Sequence, residues 1–145
     1  MRTIKRTVDI GAPAEIVWRV LTHFPAYPKW NPFIREIHGK LEAGARLWVR
    51  LRLSKKRVLR FRPRITKVIP AAELHWRGSW LLPVLFAGEH SFIIVPNGVS
   101  SVRFIQREQF RGLLAPLVLP FIAKKTEEAF ERMNRALKKI AEEKR

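Results

Sequence analysis

The chain has 145 residues, 47% of them apolar, and no cysteine. That length fits one domain whose core removes roughly 68–70% of the unfolded surface from water, and the absent cysteines exclude a disulfide framework, a thiolate metal site and a cysteine nucleophile. Its 29 Lys and Arg against 12 Asp and Glu give a formal net charge of +17, a surface that is either simply well solvated or attracts phosphates, anionic lipid and acidic proteins.

Residues 2–10 read as a strand with Ile4, Val8 and Ile10 on one face. Arg6 shares their parity, but an arginine near a strand end tends to snorkel to water. Gly11 breaks the strand, and Ala12-Pro13-Ala14-Glu15 starts a helix, since proline is preset for a first helical position and a glutamate there suits the dipole. Val17, Val20 and Leu21 give that helix an apolar stripe. Pro25 and Pro28 end it, so residues 27–31 hold only a short turn. Residues 34–39 are a short strand. Over residues 45–53, Leu47, Val49, Leu51 and Leu53 alternate with Arg46, Trp48, Arg50 and Arg52, the pattern of a half-buried antiparallel strand. Residues 57–69 continue the alternation, with Leu59, Phe61 and Ile65 against Arg60, Arg62 and Arg64. Residues 73–80 put Leu74, Trp76 and Trp80 on one side. Residues 87–95 and 100–110 form a last hairpin. Beyond Pro120, Ile122, Thr126, Ala129, Phe130, Met133, Leu137 and Ile140 follow the helical period.

The resulting order is strand, two short helices, about six further antiparallel strands and a long helix, an α+β layout. A curved sheet of about seven strands has one apolar face to cover, and only the C-terminal helix is long enough. A straight helix does not follow a curved sheet closely, so a cavity is expected between them. The N-terminal run lacks the apolar stretch of a signal peptide. The most apolar run, residues 113–123, falls short of the roughly 20 residues that span a bilayer. The expectation is a single domain over residues 1–145, in the cytoplasm.

Four local runs resemble the START/polyketide-cyclase-like (SRPBCC) superfamily, which also contains the major birch pollen allergen family. They are Ile10-Gly11-Ala12-Pro13-Ala14-Glu15-Ile16-Val17-Trp18, Tyr27-Pro28-Lys29-Trp30-Asn31-Pro32-Phe33, Gly88-Glu89-His90-Ser91-Phe92 and Glu108-Gln109-Phe110-Arg111-Gly112-Leu113-Leu114. The first is common in the superfamily, and the other three look like one bacterial-type branch. The resemblance covers essentially the whole chain. It implies a helix-grip fold with an internal apolar cavity, but no single activity, because a fold hosts many functions.

Standard catalytic signatures are missing: there is no Gly-rich phosphate loop, no His-Glu-x-x-His motif and no Gly-x-Ser-x-Gly elbow. The histidines His23, His38, His75 and His90 have no metal-ligand spacing, so neither a metal nor another cofactor is expected. One constellation remains. A three-residue loop over residues 97–99 pairs Phe92 with Phe104 and sets His90 across from Gln106, diagonal to Glu108. Two readings of His90 and Glu108 stand: an acid/base pair in an apolar cavity, or a buried polar pair that satisfies itself and orients a ligand. The expected cavity set is Trp30, Leu74, Trp76, Trp80, His90, Phe92, Phe104, Gln106, Glu108, Phe130 and Met133. Asn31 reads as a turn residue.

The expected function is binding or carriage of a lipid-like or aromatic small molecule. The alternative is a cyclase, dehydratase or isomerase acting on a ketide-like ligand in the same cavity. The arginine-rich strand faces raise nucleic-acid binding, but only Trp48 interrupts them, whereas single-strand binders interleave several stacking aromatics. The apolar runs 81–86 and 113–120 should meet at one end of the fold. There Leu85, Phe86, Leu114 and Leu117 form a lip for an anionic membrane or a second copy of the chain.

Overall fold

The computed structural model describes residues 2–79 and 82–145. Trp80 and Leu81 therefore lie outside the described residues. Strand β1 (Arg2–Ile10) is followed by helix α1 (Ala14–Thr22), a short 3-10 turn and helix α2 (Tyr27–Trp30). Strands β2 (Ile34–His38), β3 (Trp48–Arg52), β4 (Val58–Phe61), β5 (Arg64–Ile69), β6 (Glu73–Ser79), β7 (Ala87–Pro96) and β8 (Val102–Arg111) come next, and helix α3 (Ala115–Lys144) ends the chain. This is a helix-grip arrangement.

The eight strands form a five-stranded sheet, in the order β1-β8-β7-β6-β5, and a three-stranded sheet, β2-β3-β4. The single strand expected over residues 57–69 is divided at Pro63. Proline has no N–H for a ladder, so the chain turns a corner there. The Pro63 carbonyl accepts from Leu47 N at 2.8 Å, Ile65 N donates to the Ala45 carbonyl at 2.8 Å, and a bridge joins Arg46 to Arg64. These bonds stitch the two sheets into one sharply curved surface.

The last hairpin also differs from expectation. A five-residue loop, closed by Asn97 N donating to the Ser101 carbonyl and Ser101 Oγ donating to the Asn97 carbonyl, replaces the three-residue one. The register is shifted by two residues: His90 faces Glu108, Phe92 faces Gln106 and Ile94 faces Phe104. Side chains alternate with period two, so a slip of two keeps every residue on its expected face.

Helix α3 begins at Ala115, not after Pro120. Pro116 occupies its first turn, where no N–H is required, while Pro120 lies inside the helix. Its 30 residues extend about 45 Å. Leu119, Ala129, Phe130, Met133, Leu137 and Ala141 form its buried stripe. Polar ties fix it against β1. Arg6 turns toward the helix, binding Glu131 at 2.8 Å and Glu127 at 2.9 Å. At the far end Glu142 accepts from Gly11 N at 2.8 Å and from Lys138 at 2.6 Å. The Lys138 hydrogen bond, and then that of the Gly11 N–H, hold the Glu142 carboxyl below the ordinary glutamate range.

The short helices plug one end of the curved surface. Pro13 sits one residue before α1, at its cap, with extended backbone. Tyr27 is completely buried and donates to the Leu21 carbonyl; burial pushes its phenol well above the ordinary range. Asn31, also completely buried, accepts from the backbone N–H groups of Phe33 at 2.9 Å and Ile34 at 2.8 Å. That is a side-chain turn leading the chain into β2.

Candidate functional site

The apolar faces of β3 and β4 do not close fully on α3. Between them lies a cavity of about 300 Å³. Leu51, Leu53, Leu59 and Phe61 form one wall; Leu114, Val118, Ile122 and Phe130 of the α3 side form another; Trp76, Phe86 and Phe110 line the five-stranded sheet. The polar side chains on this wall are His90, Glu108, Thr126 and Arg57, and Arg57 is exposed at the β3–β4 turn.

His90 and Glu108 meet because β7 and β8 place them directly opposite. His90 Nδ1 and Glu108 Oε1 are 2.6 Å apart. Gly88, two residues before His90 on the same face, makes this possible, since a Cβ there would collide with Glu108 Oε2. Trp76 stacks on the imidazole with centroids 5.4 Å apart, and Phe130 meets it edge-on at 5.2 Å. The His90 side chain is 5% exposed and that of Glu108 16%. The carboxylate is thus the member of the pair more open to a ligand.

The proton inventory follows from a chain of hydrogen bonds. The Arg6 carbonyl can only accept, so the Asn134 amide nitrogen points toward it, at 3.3 Å. Asn134 Oδ1 then accepts from Gln106 Nε2 at 2.9 Å, which leaves Gln106 Oε1 facing His90 Nε2 at 3.0 Å. His90 Nε2 must therefore carry a proton. One further proton is shared between His90 Nδ1 and Glu108 Oε1 across this short contact. The arrangement is a fixed imidazole orientation backing a carboxyl group at the edge of an apolar void.

Of the expected cavity residues, Trp76, His90, Glu108 and Phe130 lie on this wall. Leu74, Phe92, Phe104, Gln106 and Met133 do not; they are buried in the packed core behind it. Trp30 is displaced to a different cleft, near the end of α3, where Tyr27 meets it edge-on at 5.2 Å. The β3 and β4 wall was absent from the expected set. Its signal was present in the alternation of Leu51, Leu53, Leu59 and Phe61, an apolar face for which the sequence offers no separate cover.

The apolar lip is assembled by the backbone. Leu114 N donates to the Leu85 carbonyl at 2.8 Å, and Leu113 N to the Val84 carbonyl at 3.1 Å. Gly112, at φ +113°, permits this approach, because a Cβ there would strike the Leu85 carbonyl. Phe86 turns inward and stacks on Phe110 at 5.6 Å, and Leu114 joins it on the cavity wall. Leu85 is half-buried. Leu82, Val84, Leu113, Leu117 and Phe121 remain exposed.

A second polar cluster lies on the outer face of the sheet. His75 Nε2 is 2.8 Å from Glu73 Oε1, and Ser91 Oγ is 2.9 Å from His75 Nδ1. The His75 hydrogen bond, with a smaller contribution from Lys67, holds Glu73 below the ordinary glutamate range. The residue types are those of a hydrolytic triad, but Ser91 is completely buried, so the three groups satisfy one another. Several outer-face arginines are likewise engaged: Arg50 with Glu36, Arg77 with Glu89 and Arg103 with Asp9. Among the described residues no cluster of three metal-ligating side chains occurs, and no helix is long and apolar enough to cross a membrane.

Solved structures share this fold. The ZhuI aromatase/cyclase from Streptomyces sp. R1128 superposes with a TM-score of 0.75 at 17% identity, covering 99% of this chain and 94% of that one. A START superfamily protein from Mycobacterium smegmatis gives 0.76 at 22% identity, covering 99% of both chains. A norcoclaurine synthase from Thalictrum flavum gives 0.72 at 14% identity, covering 99% and 95%. These likenesses establish the fold. No curated protein matches the sequence. The family model described as polyketide cyclase/dehydrase and lipid transport matches residues 1–142, and the chain belongs to that family.

Proposed function

We propose that this protein binds an apolar, aromatic or lipid-like small molecule in the cavity between β3, β4 and α3. The observation that carries the reading is a void of about 300 Å³ whose wall is mostly apolar and on which His90 is paired with the partly exposed Glu108. That volume is at the lower end of the roughly 300–1,000 Å³ range of small-molecule sites, which favours one or two fused rings or a short acyl chain. Val118→Trp should fill the void and weaken binding of a fluorescent apolar probe at least tenfold, with the thermal melt preserved. Equal probe binding by the variant would refute the cavity as the site.

A second reading is favoured by the His90–Glu108 pair. With a β-hydroxy carbonyl compound bound, Glu108 takes a proton from the carbon beside the carbonyl and returns it to the β-hydroxyl, whose C–O bond breaks as the carbon–carbon double bond forms, so that water leaves. The step needs no oxidant or reductant. It would make the protein a dehydratase- or cyclase-type enzyme on the same ligand class.

The lip offers the route of entry. Leu113, Leu117 and Phe121 are exposed beside the cavity wall, and Arg111, Lys124 and Lys125 stand exposed next to them in the chain. Basic side chains at an anionic surface contribute about 1 kcal/mol each within a Debye length of roughly 8 Å. Co-sedimentation with vesicles containing anionic lipid should fall on Leu117→Asp or Phe121→Asp and weaken with salt. If those substitutions convert a dimer to a monomer and vesicles never bind, the lip is an interface between copies.

A further inference from the structure

A separate cleft of about 320 Å³ lies at the opposite end of α3 from the lip. Its floor is apolar: Ile16 and Val20 of α1, Ala26, Trp30 of α2 and Ile140 of α3. Every other lining residue is basic: Arg19, His23, Lys29 and Lys144. Among the described residues no acidic side chain lines it.

We infer that this cleft is a second binding site, for a small anionic amphiphile: a ring or short chain bearing a phosphate or carboxylate. Three observations converge. The floor offers an aromatic surface that is already positioned, because Trp30 is held edge-on by Tyr27, and Tyr27 is anchored on the Leu21 carbonyl. The rim supplies charge of one sign from three elements. That charge exceeds what the helix ends require. The C-termini of α1 and α3 both approach the cleft, and each carries roughly half a negative charge; Arg19, Lys29 and Lys144 supply three permanent positive charges against them, before His23 is counted. Among the described lining residues the charge is positive, and the apolar floor lies within it. An anion with an apolar body satisfies both.

Phenyl phosphate is a suitable probe, with inorganic phosphate and toluene as its separate halves. Titration is followed by the indole N–H signal of Trp30 in a nitrogen–proton correlation spectrum, assigned through Trp30→Phe. Saturable shifts of that signal and of the His23 and Lys29 amides are expected with phenyl phosphate. Inorganic phosphate should bind at least tenfold more weakly, and toluene should shift Trp76 instead. The double variant Arg19→Gln, Lys144→Gln should weaken phenyl phosphate roughly tenfold, as two exposed charges lost, and leave apolar-probe binding in the central cavity unchanged. Shifts that never saturate, that persist unchanged in the double variant, or that centre on Trp76 and His90 would overturn the assignment.

Discussion

Phe130→Ala should lower stability by about 3 kcal/mol, the low end of the roughly 3–5 kcal/mol range for such truncations. The side chain is 1% exposed and packs against Phe33 at 5.6 Å and His90 at 5.2 Å. It stays at the low end because one side of the ring already faces the cavity, so the substitution enlarges an existing void instead of opening a new one. For a domain of this size the melting temperature should fall by about 6–12 °C. Phe121→Ala is the control. Phe121 is 83% exposed on the same helix, and its removal should change stability by less than about 0.5 kcal/mol. Equal melts for the two variants would mean that the helix face is assigned the wrong way round.

The second large effect is expected at Glu108. Glu108→Gln keeps the shape of the side chain and removes its ability to share a proton with His90 Nδ1. If Glu108 moves protons on a bound carbonyl compound, turnover should fall by about 10²–10⁴-fold, with ligand affinity changed only slightly. If the pair merely orients a ligand, there is no turnover to lose and affinity alone changes. Gly88→Ala tests the same geometry from the other side. Its methyl group needs the space of Glu108 Oε2, so the carboxylate must swing away from His90. The nitrogen resonances of His90 should then report loss of the 2.6 Å bond, and stability should drop by about 1–3 kcal/mol for a buried polar group left without its partner. An unchanged His90 spectrum in Gly88→Ala would show that the pair does not depend on that space.

Local pattern was enough to read most of the elements. Period-two alternation at Leu47 to Leu53 and the helical spacing of Thr126, Phe130, Met133 and Leu137 depend on which face meets the core, and that preference is written residue by residue. The runs around Pro13, Tyr27 and His90 carried the family resemblance, so the helix-grip order was legible in the sequence. His90 and Glu108 were also found on one face, because a register slip of two preserves faces.

What the sequence left open depended on contacts distant along the chain. Loop length in the last hairpin was set by the Asn97–Ser101 hydrogen bonds, and it decided that His90 faces Glu108 and not Gln106. The break at Pro63 turned one expected strand into two and swung the β3 and β4 faces over α3, which moved the cavity wall to Leu51, Leu53, Leu59 and Phe61. Alternation says that a face is covered; it does not say by what, or how closely. The proton inventory of the pair needed a backbone carbonyl of β1, an asparagine of α3 and a glutamine of β8 in one line. The second cleft likewise needed the assembled chain, since Lys144 lies more than a hundred positions from Arg19, His23 and Lys29 and shares their rim only because α3 returns to α1. Local pattern fixes which side of an element is buried, because burial of apolar area is non-directional. Which polar atoms meet is decided by distances of a few tenths of an ångström between elements, and only the assembled structure sets those.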